Sequence, residues 1–305
     1  MKAQIFLVVL ISTTCFSTFS QKLGNGLMNI YKSVGMVSYL PNPNQRSYGT
    51  GTLIYKRITD TTLSAYLVTC KHVLPQKKDA DYIYFDIANS KSSNKFSTIK
   101  ISIYDTSGNY FPQVKIDPDG NDLAVVDVTA YFAQPNLRDI INTIIPYEMI
   151  QTKDSIISNN INVGDDIFFI GIPSGMYDSR DISPILRAGV ISTPPENDFY
   201  FNDMIKAGYF AKYREIIPNK LNGFLIDANA IGGSSGSLVF QKPQFVRINN
   251  GELEYSKEGG EPLILGILAF SYLDLGPTVD SIKINLGGVI SGSSIKKTID
   301  LFKSK

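Results

Sequence analysis

The strongest constraint on this chain is its segmentation. Short runs rich in Val, Ile, Tyr, Phe and Thr alternate with Gly, Pro, Asn and Asp along almost its whole length. Such runs suit pleated, half-buried surfaces, and the residues between them suit turns. Thirteen runs read as strands: Val34–Leu40, Thr50–Ile58, Ala65–Thr69, Tyr82–Ile87, Thr98–Tyr104, Leu123–Val128, Ile167–Ile172, Ile185–Ser192, Phe224–Ile226, Leu238–Phe240, Phe245–Ile248, Leu263–Tyr272 and Gly288–Ser291. Many short strands with few long helical periods imply an all-β barrel or sandwich. Helical signals are sparse. Ser293 or Ser294 can cap a final helix over Ile295–Phe302, whose apolar positions have helical spacing. Met204–Ile216 reads as a helical insertion, Asn136–Ile150 as a connection between two halves, and Lys242–Pro262 as a polar hairpin or loop.

Residues 1–20 do not read as fold. Lys2 gives a basic start, Ile5–Ile11 is an unbroken apolar run, and small polar residues follow to Ser20. This is the layout of a secretory signal, with cleavage expected between Ser20 and Gln21 and a secreted or periplasmic destination. The run is too short for a bilayer, which needs about 20 apolar residues. A lipid anchor at Cys15 is the weaker reading, because Ser12-Thr13-Thr14 lacks the Leu and small apolar pair such anchors need.

Loss of the signal leaves Cys70 as the one cysteine, so no internal disulfide can form. With 43% hydrophobic residues, the chain can build a core without one. One Cys and one His cannot make a zinc tetrad, and no calcium-loop pattern occurs, so no metal or cofactor is expected. Lys plus Arg is 29 and Asp plus Glu is 28, which gives no basic footprint for nucleic acid or an anionic membrane. Composition points to no partner beyond a substrate and leaves the oligomeric state open.

Three segments carry chemistry. His72, the only histidine, ends the apolar stretch Leu67-Val68-Thr69-Cys70-Lys71-His72-Val73-Leu74, where a strand meets a turn and an imidazole can face a cleft. Asp122 heads an apolar strand in Gly120-Asn121-Asp122-Leu123-Ala124-Val125-Val126-Asp127, where a carboxylate can accept from an imidazole N–H; Asp127 falls inside the strand run. Gly232-Gly233-Ser234-Ser235-Gly236-Ser237-Leu238 is a tight turn before an apolar strand that can present a hydroxyl. Each segment alone is an ordinary structural feature. Together they run in the order His, Asp, Ser, at separations of 50 and 113 residues, the chain order of the chymotrypsin class.

On these segments the chain resembles trypsin-like serine peptidases, nearest to the bacterial HtrA-type branch. The matching stretches are Thr69–Val73, Asn121–Val126 and Asp227–Leu238, joined by Phe169-Ile170-Gly171-Ile172-Pro173-Ser174-Gly175 and Leu265–Ser271. The resemblance spans Val34 to Phe302. It implies two six-stranded β-barrels, one in 21–150 with His72 and Asp122, the other in 151–305 with Ser235 and a terminal helix. It implies a His72–Asp122–Ser235 triad and an oxyanion hole from the backbone N–H groups of Gly233 and Ser235. Asn229, Ala269, Phe270 and Ser271 are implied to line the substrate site, and no cofactor is implied. The chain departs from the family at Ser237, where Gly is usual, at Ser234, where digestive enzymes have Asp, and at Cys70 inside the His motif. No activation-site pattern is seen, and no peptide-binding PDZ module is expected after the final helix.

Gly232-Gly233-Ser234-Ser235-Gly236 also fits the Gly-x-Ser-x-Gly elbow of α/β-hydrolases, but that class needs its His after the Ser, and His72 lies before it. The competing reading is a catalytically silent peptidase-like fold that acts as a binding or scaffold module. Asn229, six residues before Ser235, is uncharged, which implies cleavage after small or medium uncharged residues.

Overall fold

A computed structural model describes residues 27–302, except 61, 90–95, 135–136, 138–139, 141–143, 179, 202–219, 245, 250–251, 256–261 and 276–280. The expected signal, with Cys15, and the expected insertion at Met204–Ile216 lie outside the described residues. A short helix over 27–33 leads into the first strand. The strands of the first half are β1 (Val34–Asn42), β2 (Gln45–Arg57), β3 (Leu63–Thr69), β4 (Tyr82–Ala88), β5 (Phe96–Ser102), β6 (Val114–Ile116), β7 (Ala124–Asp127) and β8 (Ile145–Pro146). Those of the second half are β9 (Asp166–Gly171), β10 (Ile185–Ile191), β11 (Phe199–Tyr200), β12 (Lys220–Leu221), β13 (Gly223–Asp227), β14 (Leu238–Gln241), β15 (Val246–Asn249), β16 (Glu252–Tyr255), β17 (Ile264–Leu275) and β18 (Ser281–Ser291).

All thirteen expected strands form, most with ends shifted by one to three residues. The fold is chymotrypsin-like. The first sheet runs β5-β4-β1-β2-β3-β7-β6, with β8 added in parallel to β2. It carries eight strands rather than six, because β6 adds to β7 and β8 to β2, and the chain doubles back after β5. A turn at Asp105–Asn109 lets Tyr104 bridge Tyr110, and the Phe111 N–H donates to Ile103 O at 3.0 Å. The second sheet is a closed six-stranded barrel, β10-β13-β18-β17-β14-β9. β11 pairs with β12 and β15 with β16, the latter pair being the hairpin expected after Lys242.

Alternation explains the strand faces. In β5, Ser97, Ile99 and Ile101 point inward while Thr98, Lys100 and Ser102 face solvent. Phe169, Phe224, Val239, Leu265 and Val289 fill the second barrel. A larger cluster spans both halves, with Leu53, Leu67, Val68 and Phe85 from the first sheet and Ile170, Leu238, Phe240 and Ile267 from the second. This shared core fixes the face of β14 and β17 against β2 and β3.

The final helix spans Gly292–Ile299, earlier than expected, with Ser291 at its N-cap. Ser293 does not cap it. Its hydroxyl instead accepts from the Lys153 N–H at 3.0 Å, tying it to the helix Lys153–Ser158, where Thr152 and Ser155 form a capping box. Ile295 and Ile299 are fully buried, and the Phe302 ring lies 5.2 Å from that of Tyr66.

Phe224 is sealed in the second barrel. Phe224→Ala is expected to cost about 3–5 kcal/mol, measured as a lower denaturant midpoint at unchanged m-value.

Candidate active site

His72 sits in a single 3-10 turn, Lys71–Val73, directly after β3. Val73 anchors that turn: it is buried, and a Cβ at Gly49 would fall 2.6 Å from its Cγ2. The imidazole side is about half exposed. Asp122 lies just before β7, which pairs with β3 in antiparallel register. Strand pairing therefore brings the two segments side by side, and the Lys71 N–H donates to Asp122 O at 3.2 Å. Asp122 grips His72 at two points. Its Oδ1 accepts from the His72 backbone N–H at 2.9 Å, and its Oδ2 meets Nδ1 of the ring in a short contact. The second contact assigns the Nδ1 proton and leaves Nε2 free to accept. A turn at Asp117–Gly120 supports the aspartate, with Gly120 at φ +81° and the Asn121 amide donating to Asp117.

The turn before β14 is held to the first sheet through Thr50. The Thr50 N–H donates to Ser235 O at 2.9 Å, and its hydroxyl donates to Gly233 O at 3.0 Å while accepting from the Ile172 N–H at 2.9 Å. One carbonyl, that of Leu268 on β17, accepts both the Gly236 N–H at 2.7 Å and the Cys70 Sγ–H at 3.4 Å. The residue after Ser235 and the residue two before His72 thus converge on the same oxygen. Ser235 itself is half-buried, whereas Ser234 is 1% exposed.

Peptide planarity fixes two amides of this turn. In a trans peptide the C=O and the following N–H point in opposite directions. Gly232 O accepts from the Ser174 N–H at 2.6 Å, so the Gly233 N–H faces away from Ser174. Ser234 O accepts from the Ser237 N–H at 2.9 Å, so the Ser235 N–H faces out of the turn. Among the described residues neither amide has a hydrogen-bond partner, while those of Ser234, Gly236 and Ser237 do. Gly233 has φ +83°, a value that only glycine adopts without strain.

The other expected residues divide. Asn229 is exposed at the start of the turn, and Ser271 is half-buried. Ala269 is 1% exposed within the core shared by both halves. Phe270 is half-buried; its ring lies over Gly288 of β18, where a Cβ would fall 2.2 Å from Cζ, and 6.3 Å from the Phe201 ring. Thr50 and Ser174 are the residues sequence reasoning missed. The glycines flanking Thr50 mark close approach within the first half, to Val73 at Gly49 and to Val37 and Leu67 at Gly51, and not the turn that Thr50 holds.

Cys70, His72 and Asp122 place one donor atom each within 4.8 Å of one another. Cys70 is fully buried, and burial with the nearby Asp122 charge pushes its thiol well above the usual range.

A family model described as trypsin-like peptidase domain matches residues 49–245. The chain belongs to that family, and is a serine endopeptidase by class. No curated protein sequence matches it. Among solved structures it is similar to the Rv3671c protease from M. tuberculosis, at 14% identity over 92% of this chain and 85% of that one, TM-score 0.49. It is also similar to a serine endoprotease from Yersinia pestis, at 17% identity over 92% of this chain and 65% of that one, TM-score 0.46.

Two outcomes follow from this geometry. Thr50→Val removes both hydroxyl bonds and leaves Gly233 O and the Ile172 N–H unpaired, so it is expected to lower stability by about 1–3 kcal/mol in denaturant titration. Cys70 stays protonated and sealed at neutral pH, so a thiol reagent is expected to react only at the rate of unfolding.

Proposed function

We propose that the chain is an exported endopeptidase that cleaves peptide bonds through an acyl-enzyme on Ser235, with His72 as the base and Asp122 as its partner. The observation that carries this reading is the two-point grip of Asp122 on His72, beside a turn whose Gly233 and Ser235 amides lack partners among the described residues. Ser235 Oγ attacks the substrate carbonyl. His72 Nε2 takes the hydroxyl proton and returns it to the leaving amine. Asp122 holds the ring in the Nδ1–H tautomer and stabilises the imidazolium as it forms. The Gly233 and Ser235 amides donate to the developing oxyanion, and their directions are set before substrate arrives. Water then repeats the sequence on the ester.

Substrates are proteins or peptides, and β17 runs past its pairing with β14, which reaches Ile267, so an extended chain can pair with it at Phe270 and Ser271. Export rests on the basic start and apolar run of residues 1–20. Among the described residues, no helix is long and apolar enough to cross a membrane.

Ser235→Ala is expected to abolish fluorophosphonate labelling and proteolysis, while Ser234→Ala keeps most labelling; mass mapping of the label on Ser234 would overturn the assignment. Asp122→Asn imposes the wrong tautomer on His72 and is expected to lower kcat by about 10⁴-fold. Amino-terminal sequencing of the exported protein is expected to start near Gln21, and a full-length cytoplasmic product would refute export.

A further inference from the structure

The second barrel contains a charge that its core does not explain. Arg187 lies on β10, opposite Phe169 of β9 in antiparallel register, so the two side chains share a face. Phe169 is 1% exposed and belongs to the barrel's interior cluster with Ala228, Ala230, Leu268 and Val289. The guanidinium follows it inward: Arg187 Cζ stands 5.3 Å from the centre of the Phe169 ring. Its Nη1 is sealed from solvent and has no hydrogen-bond partner among the described residues. No described carboxylate forms an ion pair with it. A ring face offsets part of the charge but accepts none of the five N–H donors directly. Arg187 as a whole is half-buried, but a sealed guanidinium N–H without an acceptor is costly, and an anion supplies one.

Register places this cation relative to Ser235. β10 pairs with β13 at Val190 with Asp227 and at Ile191 with Ile226. One step further along β10, Gly189 lies against Ala228, and beyond Ala228 the chain turns, with the Ala230 N–H donating to Ala228 O at 2.6 Å, toward Ser235. The close approach of Gly189 agrees, since a Cβ there would fall 2.8 Å from Ala228 Cβ. Ala230 sits between Asn229 and Ile231, at the start of the turn that ends in Ser235. On its other side, β9 runs on to Ser174, whose N–H holds Gly232 O of the same turn. Both strands flanking Arg187 thus lead to the Ser235 turn.

We propose that Arg187 is the specificity-determining residue of the site, and that the enzyme cleaves after acidic residues, Glu or Asp. This rests on the hydrolase reading of Ser235 and replaces the uncharged selectivity implied by Asn229. The carboxylate of the residue acylating Ser235 enters beside Asn229 and pairs with the Arg187 guanidinium, whose planar fork matches a carboxylate. Desolvation of both groups makes the pairing selective: a substrate with Gln in place of Glu leaves the cation unpaired.

The test uses the exported chain and peptides identical except for Glu, Asp, Gln or Leu before the scissile bond. The ratio of kcat/KM for Glu over Gln is expected to be at least about 30-fold in the natural enzyme and to fall to near 1 in Arg187→Gln, with Arg187→Lys between them. A ratio near 1 in the natural enzyme, or one unchanged by Arg187→Gln, overturns the proposal. Binding gives a readout that needs no turnover. Ser235→Ala protein is titrated with product peptides ending in Glu or Gln, and the Glu peptide is expected to bind tighter, with the preference lost when Arg187→Gln is added. Equal binding overturns the role of Arg187. Absence of fluorophosphonate labelling in the natural enzyme, with Glu-selective binding intact, overturns the hydrolase reading instead.

Discussion

Thr50 holds the Ser235 turn to the rest of the molecule. Its N–H and hydroxyl bind two alternate carbonyls of that turn, those of Ser235 and Gly233, and the same hydroxyl accepts from the Ile172 N–H at the end of β9. Its own carbonyl accepts the Thr69 hydroxyl at 2.7 Å, at the end of the strand that delivers His72. One residue of β2 therefore sets three segments against one another: the His72 strand, the Ser235 turn and the β9 extension. Because each bond is to a buried or half-buried backbone group, loss of any of them leaves a polar atom unpaired rather than exposed to water. The geometry is over-determined by ordinary hydrogen bonds.

That closeness explains the glycines of the turn. Gly236 has φ +88°, and a Cβ on it would fall 2.0 Å from Thr50 O. Gly233 has φ +83°, and a Cβ there would fall 2.7 Å from Ile172 O. Conformation and space therefore both exclude a side chain at these two positions. Between them the backbone alternates between carbonyls directed into the structure and amides directed out. A larger residue at either position would force the turn away from Thr50 and turn those amides with it. Here one steric constraint sets the direction of both amides.

Strands with alternating or continuous apolar runs were legible in the sequence, because burial on one or both faces writes itself into composition. β11, β12 and β8 were not, since two residues cannot show a period of two. β6 and β16 are little longer. The helix start was misread because Ser293 has the chemistry of a cap but spends its hydroxyl on Lys153 instead. His72, Asp122 and Ser235 could be singled out as candidates because their segments combine a strand boundary with a reactive side chain. Thr50 and Arg187 could not. Thr50 looks like any strand threonine until the second half packs on it. Arg187 alternates with Leu186 and Ala188, two exposed neighbours, and only its pairing with Phe169 shows that it is the inward member of the strand.

The Ser237 departure has a partner in space. Ser237 is 1% exposed, and its Oγ lies 1.9 Å from where a Cβ on Gly171 would stand. The hydroxymethyl group that Ser237 adds just before β14 thus fills volume that β9 leaves empty, and Thr50 Oγ1 borders the same spot at 2.7 Å. Packing here is close to the limit that interiors tolerate, so Gly171 and Ser237 are a matched pair rather than two independent choices. The hydroxyl finds no hydrogen-bond partner among the described residues, which marks the serine as filling space at some polar cost. Ser237 lies two residues beyond Ser235 and Gly171 three before Ser174, so this contact, together with the hydroxyl of Thr50, is what seats the Ser235 turn on β9. The change from the family's glycine is absorbed one strand away, and the Ser234 carbonyl that directs the Ser235 amide keeps its bond to the Ser237 N–H.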